Sequence, residues 1–124
     1  MKSEIKVETY PNGQNICEIP YVNGQRHGLA TWWYENGQKR YEIPYVNGQV
    51  HGLATWWYEN GQKMREVPYV NGQVHGLITL RHPNDSLSWI RKWHQGQRVW
   101  KIDFSSKGEI FEDAEIELFF HKIS

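Results

Sequence analysis

Three histidines recur at equal intervals, and such a set is the first place to look for metal chemistry. His27, His51 and His75 each precede a glycine and are 24 residues apart. A zinc site holds imidazole nitrogens about 2.1 Å from one ion. If each 24-residue unit contributes two strands, equivalent histidines lie about 10 Å apart, because neighbouring strands are about 4.8 Å apart. We therefore expect no metal site, and predict that each histidine bonds to the backbone of a neighbouring strand.

Catalysis by a nucleophile or a carboxylate finds no better support. A nucleophile needs a base and an orienting group, and no such set is visible beside the single cysteine, Cys17. Cys17 stands at the position that Tyr41 and Arg65 occupy in later copies of a 24-residue repeat. We interpret it as a small, partly buried filler. Glu35 and Glu59 are copies of one turn-flanking position, whereas an active site needs only one set of groups. Phosphate-binding, nucleophile-elbow and zinc-protease motifs do not occur. The sequence predicts a protein that is not an enzyme and needs no cofactor.

One stretch that is not repeated is a better candidate for a specific site. Residues 81–101 hold five Lys and Arg and one Asp, with three tryptophans interleaved. Such side chains can stack on bases and pair with phosphates, but protein interfaces are also enriched in Trp, Tyr and Arg. The zero net charge makes nucleic acid the weaker choice. The candidate partner-binding residues here and on the repeated strands are Trp33, Trp57, Trp89, Trp93, Trp100 and Arg91.

The C-terminal segment, residues 110–124, differs from the rest of the chain. Its acids could contact a basic partner or form a solvated face, and the candidates are Glu112, Asp113 and Glu115. As a strand, its apolar residues alternate with acids. As a helix, Ile116, Phe119 and Ile123 share one stripe, and the acids at its start suit the helix dipole. We favour a short helix that caps the array, because arrays need atypical ends.

Composition sets outer limits on the function. A chain of 124 residues forms one domain or one short repeat array. Fourteen basic residues balance fourteen acidic ones, which argues against a general electrostatic grip on nucleic acid or anionic lipid. A single cysteine excludes an intrachain disulfide. The N-terminus lacks an apolar signal region, and no stretch approaches the roughly 18 apolar residues of a membrane span. We therefore expect a cytoplasmic protein.

The aromatic excess, seven Trp and seven Tyr, arises from an internal repeat. Residues 26–46 and 50–70 align without gaps at a period of 24, a third copy begins at Val74, and residues 12–22 supply a half copy. Asn-Gly-Gln recurs at alternating intervals of 11 and 13 residues. We interpret residues 1–124 as a single repeat domain, with the array at about 11–109 and an atypical capping segment at 110–124.

The Asn-Gly pairs predict the fold. Asn-Gly between apolar runs is a strong hairpin signal, and the 8 to 10 residues between turns suit strands rich in β-formers. The sequence predicts an all-β, elongated antiparallel meander of about nine or ten strands. A two-residue loop at Asn36-Gly37 would pair Trp32 with Tyr41, and a three-residue loop with a bulge would shift that pairing. The same register pairs Ala30 with Ile43 and Gly28 with Tyr45, and places Trp33, Thr31 and Leu29 on the other face with Arg40, Glu42 and Pro44.

Three repeated prolines and the aromatic content of both faces add further expectations. Pro20, Pro44 and Pro68 stand in central strands, where proline cannot donate to the ladder. Each predicts a bulge or an early end to pairing. Trp32 and Trp33 point to opposite faces, so the second face is either solvated or covered by the C-terminal segment, a curled sheet, a second copy or a ligand.

The string from Asn23 to Gln49 resembles the MORN (membrane occupation and recognition nexus) repeat, whose positions are filled by Asn23-Gly24, His27-Gly28, Ala30, the Trp32 to Tyr34 aromatics, Asn36-Gly37 and Tyr41. Alanine or isoleucine at the second small position and the repeated prolines resemble its divergent bacterial variant. The resemblance implies stacked hairpins and a grouping with antitoxin- or immunity-like partners of toxins. The residues that fill the structural positions of the repeat are Gly28, Gly52, Gly76, Asn36, Gly37, Asn60, Gly61, Tyr45 and Tyr69.

The resulting hypothesis is a non-catalytic protein-binding module that neutralises a cognate toxin. Two alternatives remain at this stage. The first is a structural scaffold or homodimer of the MORN type. The second is a cell-surface module whose aromatic residues cage a quaternary ammonium ligand.

Overall fold

The computed structural model describes residues 2–104 and 110–112, and every regular element in these residues is a β-strand. All thirteen strands of this part of the chain lie in one antiparallel sheet. The strands are β1 (Ser3–Thr9), β2 (Asn15–Val22), β3 (Gln25–Arg26), β4 (Gly28–Trp33), β5 (Lys39–Val46), β6 (Gln49–Val50), β7 (Gly52–Trp57), β8 (Lys63–Val70), β9 (Gln73–Val74), β10 (Gly76–Arg81), β11 (Leu87–His94), β12 (Gln97–Phe104) and β13 (Ile110–Glu112).

The sheet follows the order of the chain. Ten strands are neighbours in sequence order, β1-β2-β4-β5-β7-β8-β10-β11-β12-β13. The two-residue strands β3, β6 and β9 pair with β2, β5 and β8, and each continues into the next strand after one histidine. The predicted all-β meander of nine or ten strands is therefore confirmed. β1 precedes the start of the predicted array and adds a strand at one edge.

The Asn-Gly pairs form two different turns. Asn47 and Gly48 both have positive φ, 49° and 85°, as a type I′ turn requires. At the alternate position only Gly37 of the Asn36-Gly37 pair has positive φ, 89°. Gly37 N donates to Tyr34 O at 3.0 Å, and Tyr34 N donates to Gln38 O at 2.8 Å. This is a three-residue loop in which Gly37 occupies the left-handed bulge position.

The predicted register is confirmed, although the predicted loop is wrong. The three-residue loop pairs Trp33 with Lys39, not with Arg40, and a bulge between Trp32 and Trp33 restores the register. The longer loop shifts the pairing by one residue, and the bulge shifts it back by one. The remaining pairs are therefore those that a two-residue loop would give. These pairs are Trp32 with Tyr41, Thr31 with Glu42, Ala30 with Ile43, Leu29 with Pro44 and Gly28 with Tyr45.

Pairing is interrupted at each repeated proline, as predicted. In an antiparallel ladder the N–H and C=O of a residue face the same neighbour. Pro44 O accepts from His51 N at 3.0 Å, so the missing N–H of Pro44 faces β7. β5 consequently pairs with β7 through two residues on one side of Pro44 and with β6 through two on the other. Pro20 and Pro68 make the same bond to His27 and His75.

The two faces of the sheet are buried to different degrees. We call the face that carries Ala30 and Ala54 the front face, and both alanines are 0% exposed. The opposite, back face carries Leu29 and Leu53, which are about half exposed. Residues 2–104 and 110–112 contain no second layer, so the front-face core is built within the sheet. Its buried apolar members are Cys17, Ile19, Ala30, Ala54, Val67 and Ile78.

Hydrogen bonds from side chains join each repeat to the next. The Tyr34 hydroxyl donates to Trp57 O at 2.6 Å, and Asn36 Nδ2 donates to Glu59 O at 3.1 Å. Tyr10, Tyr58, Asn12 and Asn60 make the equivalent bonds in the neighbouring repeats. Because each bond spans 23 residues, the turns on this edge of the sheet are tied in series.

The histidines belong to the same framework. His51 Nδ1 accepts from Asn71 N at 3.1 Å, and His27 and His75 accept from Asn47 N and Gln95 N. The prediction that they bond to a neighbouring backbone is confirmed. Each ring nitrogen satisfies the amide that begins a type I′ turn, so the repeated histidine is an architectural residue.

The C-terminal prediction needs a correction. Residues 110–112 form β13, which pairs with β12 through Asp103–Glu112 and Phe104–Ile110. Of the two alternatives for this segment, residues 110–112 therefore adopt the strand, and the helix favoured above does not include them. Pairing with β13 satisfies backbone N–H and C=O groups on the edge of β12, which a helix would leave without partners. The rest of the predicted helix, and the candidates Asp113 and Glu115, lie outside the described residues.

Candidate functional site

The front face is organised as three rows that run across the strands. The register aligns one residue of each strand with one residue of the next, so every row is perpendicular to the strand direction. We call the middle row the floor row, and the two flanking rows the ring row and the tyrosine row. The floor row consists of Ile19, Ala30, Ile43, Ala54, Val67, Ile78 and Arg91. The ring row consists of Cys17, Trp32, Tyr41, Trp56, Arg65, Leu80 and Trp89. The tyrosine row consists of Tyr21, Tyr45, Tyr69 and Trp93, with a glycine between successive rings.

The ring row is a continuous stack in the first two repeats. Trp32 and Tyr41 are stacked with ring centroids 4.6 Å apart, and Tyr41 and Trp56 are tilted at 6.4 Å. Offset and tilted aromatic pairs add to the stability gained from burial alone. Burial raises the pKa of Tyr41 above its ordinary value. Cys17 begins this row and is 2% exposed, in agreement with its interpretation as a buried filler.

Arginines lie over the rings of the front face. The Arg26 guanidinium is 5.9 Å from the Trp32 centroid and 5.3 Å from the Tyr45 centroid, and its Nη1 donates to the Tyr45 hydroxyl at 3.0 Å. Hydrogen bonds to Tyr21 and Tyr45 raise the pKa of Arg26. Arg65 lies 4.2 Å over Trp56. Stacking fixes the plane of each guanidinium and leaves its N–H edge directed to one side.

Small residues make the floor a groove. Over the first two repeats the floor row alternates a completely buried alanine with a larger aliphatic residue, and large rings border it on both sides. In the tyrosine row, the space of a side chain at Gly52 is occupied by Pro44, whose Cγ would lie 3.1 Å from an added Cβ. Gly28 and Gly76 are crowded in the same way by Pro20 and Pro68. The glycines thus let the proline-containing strand approach closely.

The groove deepens into a cavity at its third repeat. This cavity, which we call the end cavity, has a volume of about 260 Å³ and lies between β8, β10 and β11. Arg65 and Arg91 line it together with Trp89, Trp93 and Tyr69. Arg91 lies 3.8 Å over the Trp89 ring. Three of the predicted site residues, Trp89, Arg91 and Trp93, are therefore brought together on the front face.

The other predicted site residues lie elsewhere. Trp33 and Trp57 are on the back face, where Lys39 lies 5.7 Å over the Trp57 ring. Trp100 pairs with Lys92 on the back face and is only 9% exposed, so it contributes to packing rather than to an open surface. Glu112 ends β13. The sequence placed these tryptophans in one candidate set, but strand alternation divides them between two faces.

Arg65 and Tyr69 are the site residues that the sequence reasoning missed. Tyr69 was assigned a purely structural role, yet its ring forms part of the cavity wall. Arg65 was noted only as a substitute for Tyr41 in the repeat. That departure from the repeat was the available signal, because a cation in the ring row has no counterpart in the first two copies.

Residues 2–104 and 110–112 contain no cluster of three or more His, Cys, Asp or Glu with metal-binding geometry. The same part of the chain contains no helix long and apolar enough to cross a membrane. What the front face offers chemically is therefore aromatic surface and guanidinium donors.

Comparison with known proteins identifies the repeat. A family model described as the MORN repeat variant matches twice, at residues 26–47 and 50–71. No curated protein matches the chain. The matched segments each hold the strand, three-residue loop and proline-containing strand of one unit, and such repeats are typical of non-catalytic modules that mediate protein interactions. Residues 26–47 and 50–71 are thus two MORN repeats of the variant type.

Proposed function

We propose that this protein binds a protein partner along its front-face groove and that the partner is a toxin, which it neutralises in the cytoplasm. One observation carries the proposal. A largely buried, mainly aliphatic floor runs across six strands, from β4 to β11, between two rows that carry aromatic rings. Side chains of this kind, Trp, Tyr and Arg beside a desolvated floor, are those that dominate binding energy in protein interfaces.

The groove suits an extended or protruding segment of a partner. Its long axis crosses the strands, so a bound segment would contact each repeat in turn. The repeated rings supply apolar contact area, whereas the end cavity differs from the other repeats and would fix the register of the segment. Neutralisation then follows from coverage, since a toxin loop held in the groove is withheld from its target. The acidic C-terminal residues Glu112, Asp113 and Glu115 are proposed as a second contact.

The experiment compares two adjacent tryptophans that face opposite sides. The protein is co-expressed with the product of the neighbouring gene, and both growth rescue and co-purification are measured. Trp56→Ala removes a front-face ring, and Trp57→Ala removes a back-face ring of the same strand. Each purified variant is first checked for the β-sheet circular dichroism spectrum of the parent.

We expect Trp56→Ala to lose rescue and co-purification, and Trp57→Ala to retain both. Loss with Trp57→Ala alone would move the interface to the back face and contradict the proposal. If the parent protein neither rescues growth nor retains the neighbouring product, the toxin assignment is wrong.

A homodimeric scaffold is the second candidate, and one feature of the back face favours it. Leu29, Leu53 and Leu77 are 51%, 50% and 48% exposed and lie one repeat apart. Burial of an exposed apolar row against a second copy would be favourable. Light scattering at high protein concentration tests this candidate: a dimer that Leu53→Lys converts to a monomer supports it, and a monomeric parent removes it.

The arrangement of the front-face rings disfavours the aromatic-cage alternative. A cage needs open ring faces for an external cation. In the front face, the guanidinium groups of Arg26, Arg65 and Arg91 already lie over rings.

A further inference from the structure

Residues that line the end cavity carry hydrogen-bond donors that the described part of the fold leaves unused. Arg65 Nε, Arg91 Nε and Trp93 Nε1 are buried and have no hydrogen-bond partner among the described residues. All three residues line the same cavity. Buried polar groups in folded proteins are nearly always paired, so three unpaired donors around one cavity point to an acceptor that is supplied from outside.

The repeat shows that the fold does not require these donors. Ile43, Val67 and Arg91 occupy the same floor position in successive repeats, and Val67 is 4% exposed. An aliphatic residue therefore fills this position in the two preceding copies. Replacing it with arginine puts a cation on an apolar floor, which is costly unless the cation is paired. The change from an aliphatic residue to arginine occurs at a single repeat, which favours a specific binding role over an architectural one.

The charges around the end cavity are unbalanced. Arg91 Nη2 lies 3.9 Å from Asp103 Oδ1, and Lys101 Nζ lies 3.8 Å from Asp103 Oδ2. One carboxylate is thus shared between two cations, and Arg65 adds a third. The long contacts at Asp103 do not engage Arg91 Nε. The cavity therefore complements an anionic group.

We propose that the end cavity is a receptor for the carboxylate of an aspartate or glutamate in an acidic segment of the partner protein. This inference rests on the proposed function, because it names the chemistry of the partner that the groove binds. Two guanidinium edges and an indole N–H suit a planar carboxylate with its several acceptor positions. At about 260 Å³ the cavity is smaller than the roughly 300–1,000 Å³ of sites for drug-sized ligands, so it takes one side chain and not a cofactor.

The surroundings of the donors fit the rest of such a side chain. Val67, Val74 and Ile78 also line the cavity and can pack against the methylene groups that carry the carboxylate. Stacking on Trp56 and Trp89 holds Arg65 and Arg91 in place, so little conformational freedom is lost when the acid enters. The receptor is thus preformed.

The test follows the Nε–H signals of arginine and the indole N–H signals of tryptophan by ¹H–¹⁵N NMR. The probes are two synthetic ten-residue peptides, one alternating glutamate with leucine and one alternating glutamine with leucine. We expect the glutamate peptide to shift the signals of Arg65, Arg91 and Trp93, and the glutamine peptide to leave them unchanged. Equal shifts with both peptides would overturn the carboxylate assignment.

Arg91→Val is the decisive variant, because it restores the residue type of the earlier repeats. We expect it to retain or raise stability and to weaken binding of the glutamate peptide about tenfold or more. The matched control is Arg40→Met, which removes a cation outside the cavity and installs the residue found one repeat later, at Met64. We expect the control to bind like the parent. Lower stability of Arg91→Val would make the guanidinium structural and overturn the proposal.

The remaining outcomes separate the occupants. If inorganic phosphate shifts the same signals at lower concentration than the glutamate peptide, the site is a phosphate site and the carboxylate assignment is wrong. If Asp113→Asn or Glu115→Gln changes these signals in the peptide-free protein, the occupant is the chain's own acidic run and the partner assignment is wrong. If Arg91→Val retains the partner that Trp56→Ala loses, the proposed function stands and only the cavity inference falls.

Discussion

At the scale of single residues, the glycine of each His-Gly step is constrained in two ways. Gly52 has a φ of 120°, a conformation that side-chain-bearing residues rarely adopt. Its missing side chain also leaves room for Pro44, 3.1 Å from the position of an added Cβ. The proline interrupts pairing and the glycine accommodates the proline, so the two residues form one structural device that spans neighbouring strands.

Gly52→Ala tests this coupling. We expect a loss of about 1–3 kcal/mol in the free energy of unfolding, from left-handed backbone strain and from displacement of Pro44. Gly72→Ala is the matched control, because Gly72 has a φ of 83° and nothing within 4 Å of an added Cβ. Urea denaturation of both variants is the measurement. Equal losses would show that Pro44 moves aside freely and that only the backbone angle matters.

Arginine has a position-dependent role on the front face. Arg26 is over two rings and donates to Tyr45, so its guanidinium is satisfied within the first repeat. Arg65 and Arg91 are stacked as well, but their Nε atoms have no acceptor within residues 2–104 and 110–112. The same residue type therefore stabilises one end of the groove and leaves binding capacity at the other.

At the scale of elements, the hairpins are joined by hydrogen bonds that the strand ladder does not supply. The tyrosine that precedes each three-residue loop reaches the last strand residue of the next unit, as Tyr34 does to Trp57 O at 2.6 Å. This edge of the sheet has few apolar contacts, since the loop residues are exposed. The hydrogen bond from the phenol hydroxyl thus restrains one loop against the next.

Tyr34→Phe removes this bond with little change in shape. We expect a loss of about 1 kcal/mol in the free energy of unfolding, because Trp57 O keeps access to water at the loop edge. Hydrogen exchange of the amides in the two joined loops should also become faster. Tyr69→Phe is the control, since the structure gives the Tyr69 hydroxyl no hydrogen bond within the described residues. A larger loss in the control would contradict the role assigned to the inter-repeat bond.

At the scale of the whole molecule, the described chain is a quasi-one-dimensional array. Each strand contacts its sequence neighbours in one sheet, and no second layer covers either face in residues 2–104 and 110–112. Stability in such an array is approximately a sum of unit and interface contributions. The length of the groove is therefore set by the number of repeats, and the end cavity is set by the residues that depart from the repeat.

Deletion of one full period tests the additivity of the array. Removal of residues 27–50 joins Arg26 to His51 and preserves both the repeat phase and the antiparallel alternation. We expect a folded β-sheet protein that has lost about 1–4 kcal/mol in the free energy of unfolding, in proportion to its length. Circular dichroism and urea denaturation are the measurements.

The matched control removes a single strand. Deletion of residues 27–38 joins Arg26 to Lys39 and reverses the direction of every later strand relative to the first two. We expect this variant to be unfolded or aggregated. If the full-period deletion behaves in the same way, the repeats are not interchangeable units.

The sequence by itself determined the repeat, the strand order and the main register. The reason is that Asn-Gly turns and short linkers are local features, and a meander contains only pairings between neighbours. The 24-residue period also determined the role of the histidines, because it fixed their separation across strands. Local information was sufficient wherever structure depends on residues close in the chain.

Only the tertiary structure decided the turn types and the site. The same Asn-Gly pair forms a type I′ turn at Asn47 and a bulged three-residue loop at Asn36, and the compensating bulge near Trp33 depends on pairing across the strand. The end cavity brings together Arg65, Arg91 and Trp93 from β8 and β11, and their unsatisfied donors become visible only when burial and every neighbouring acceptor are known.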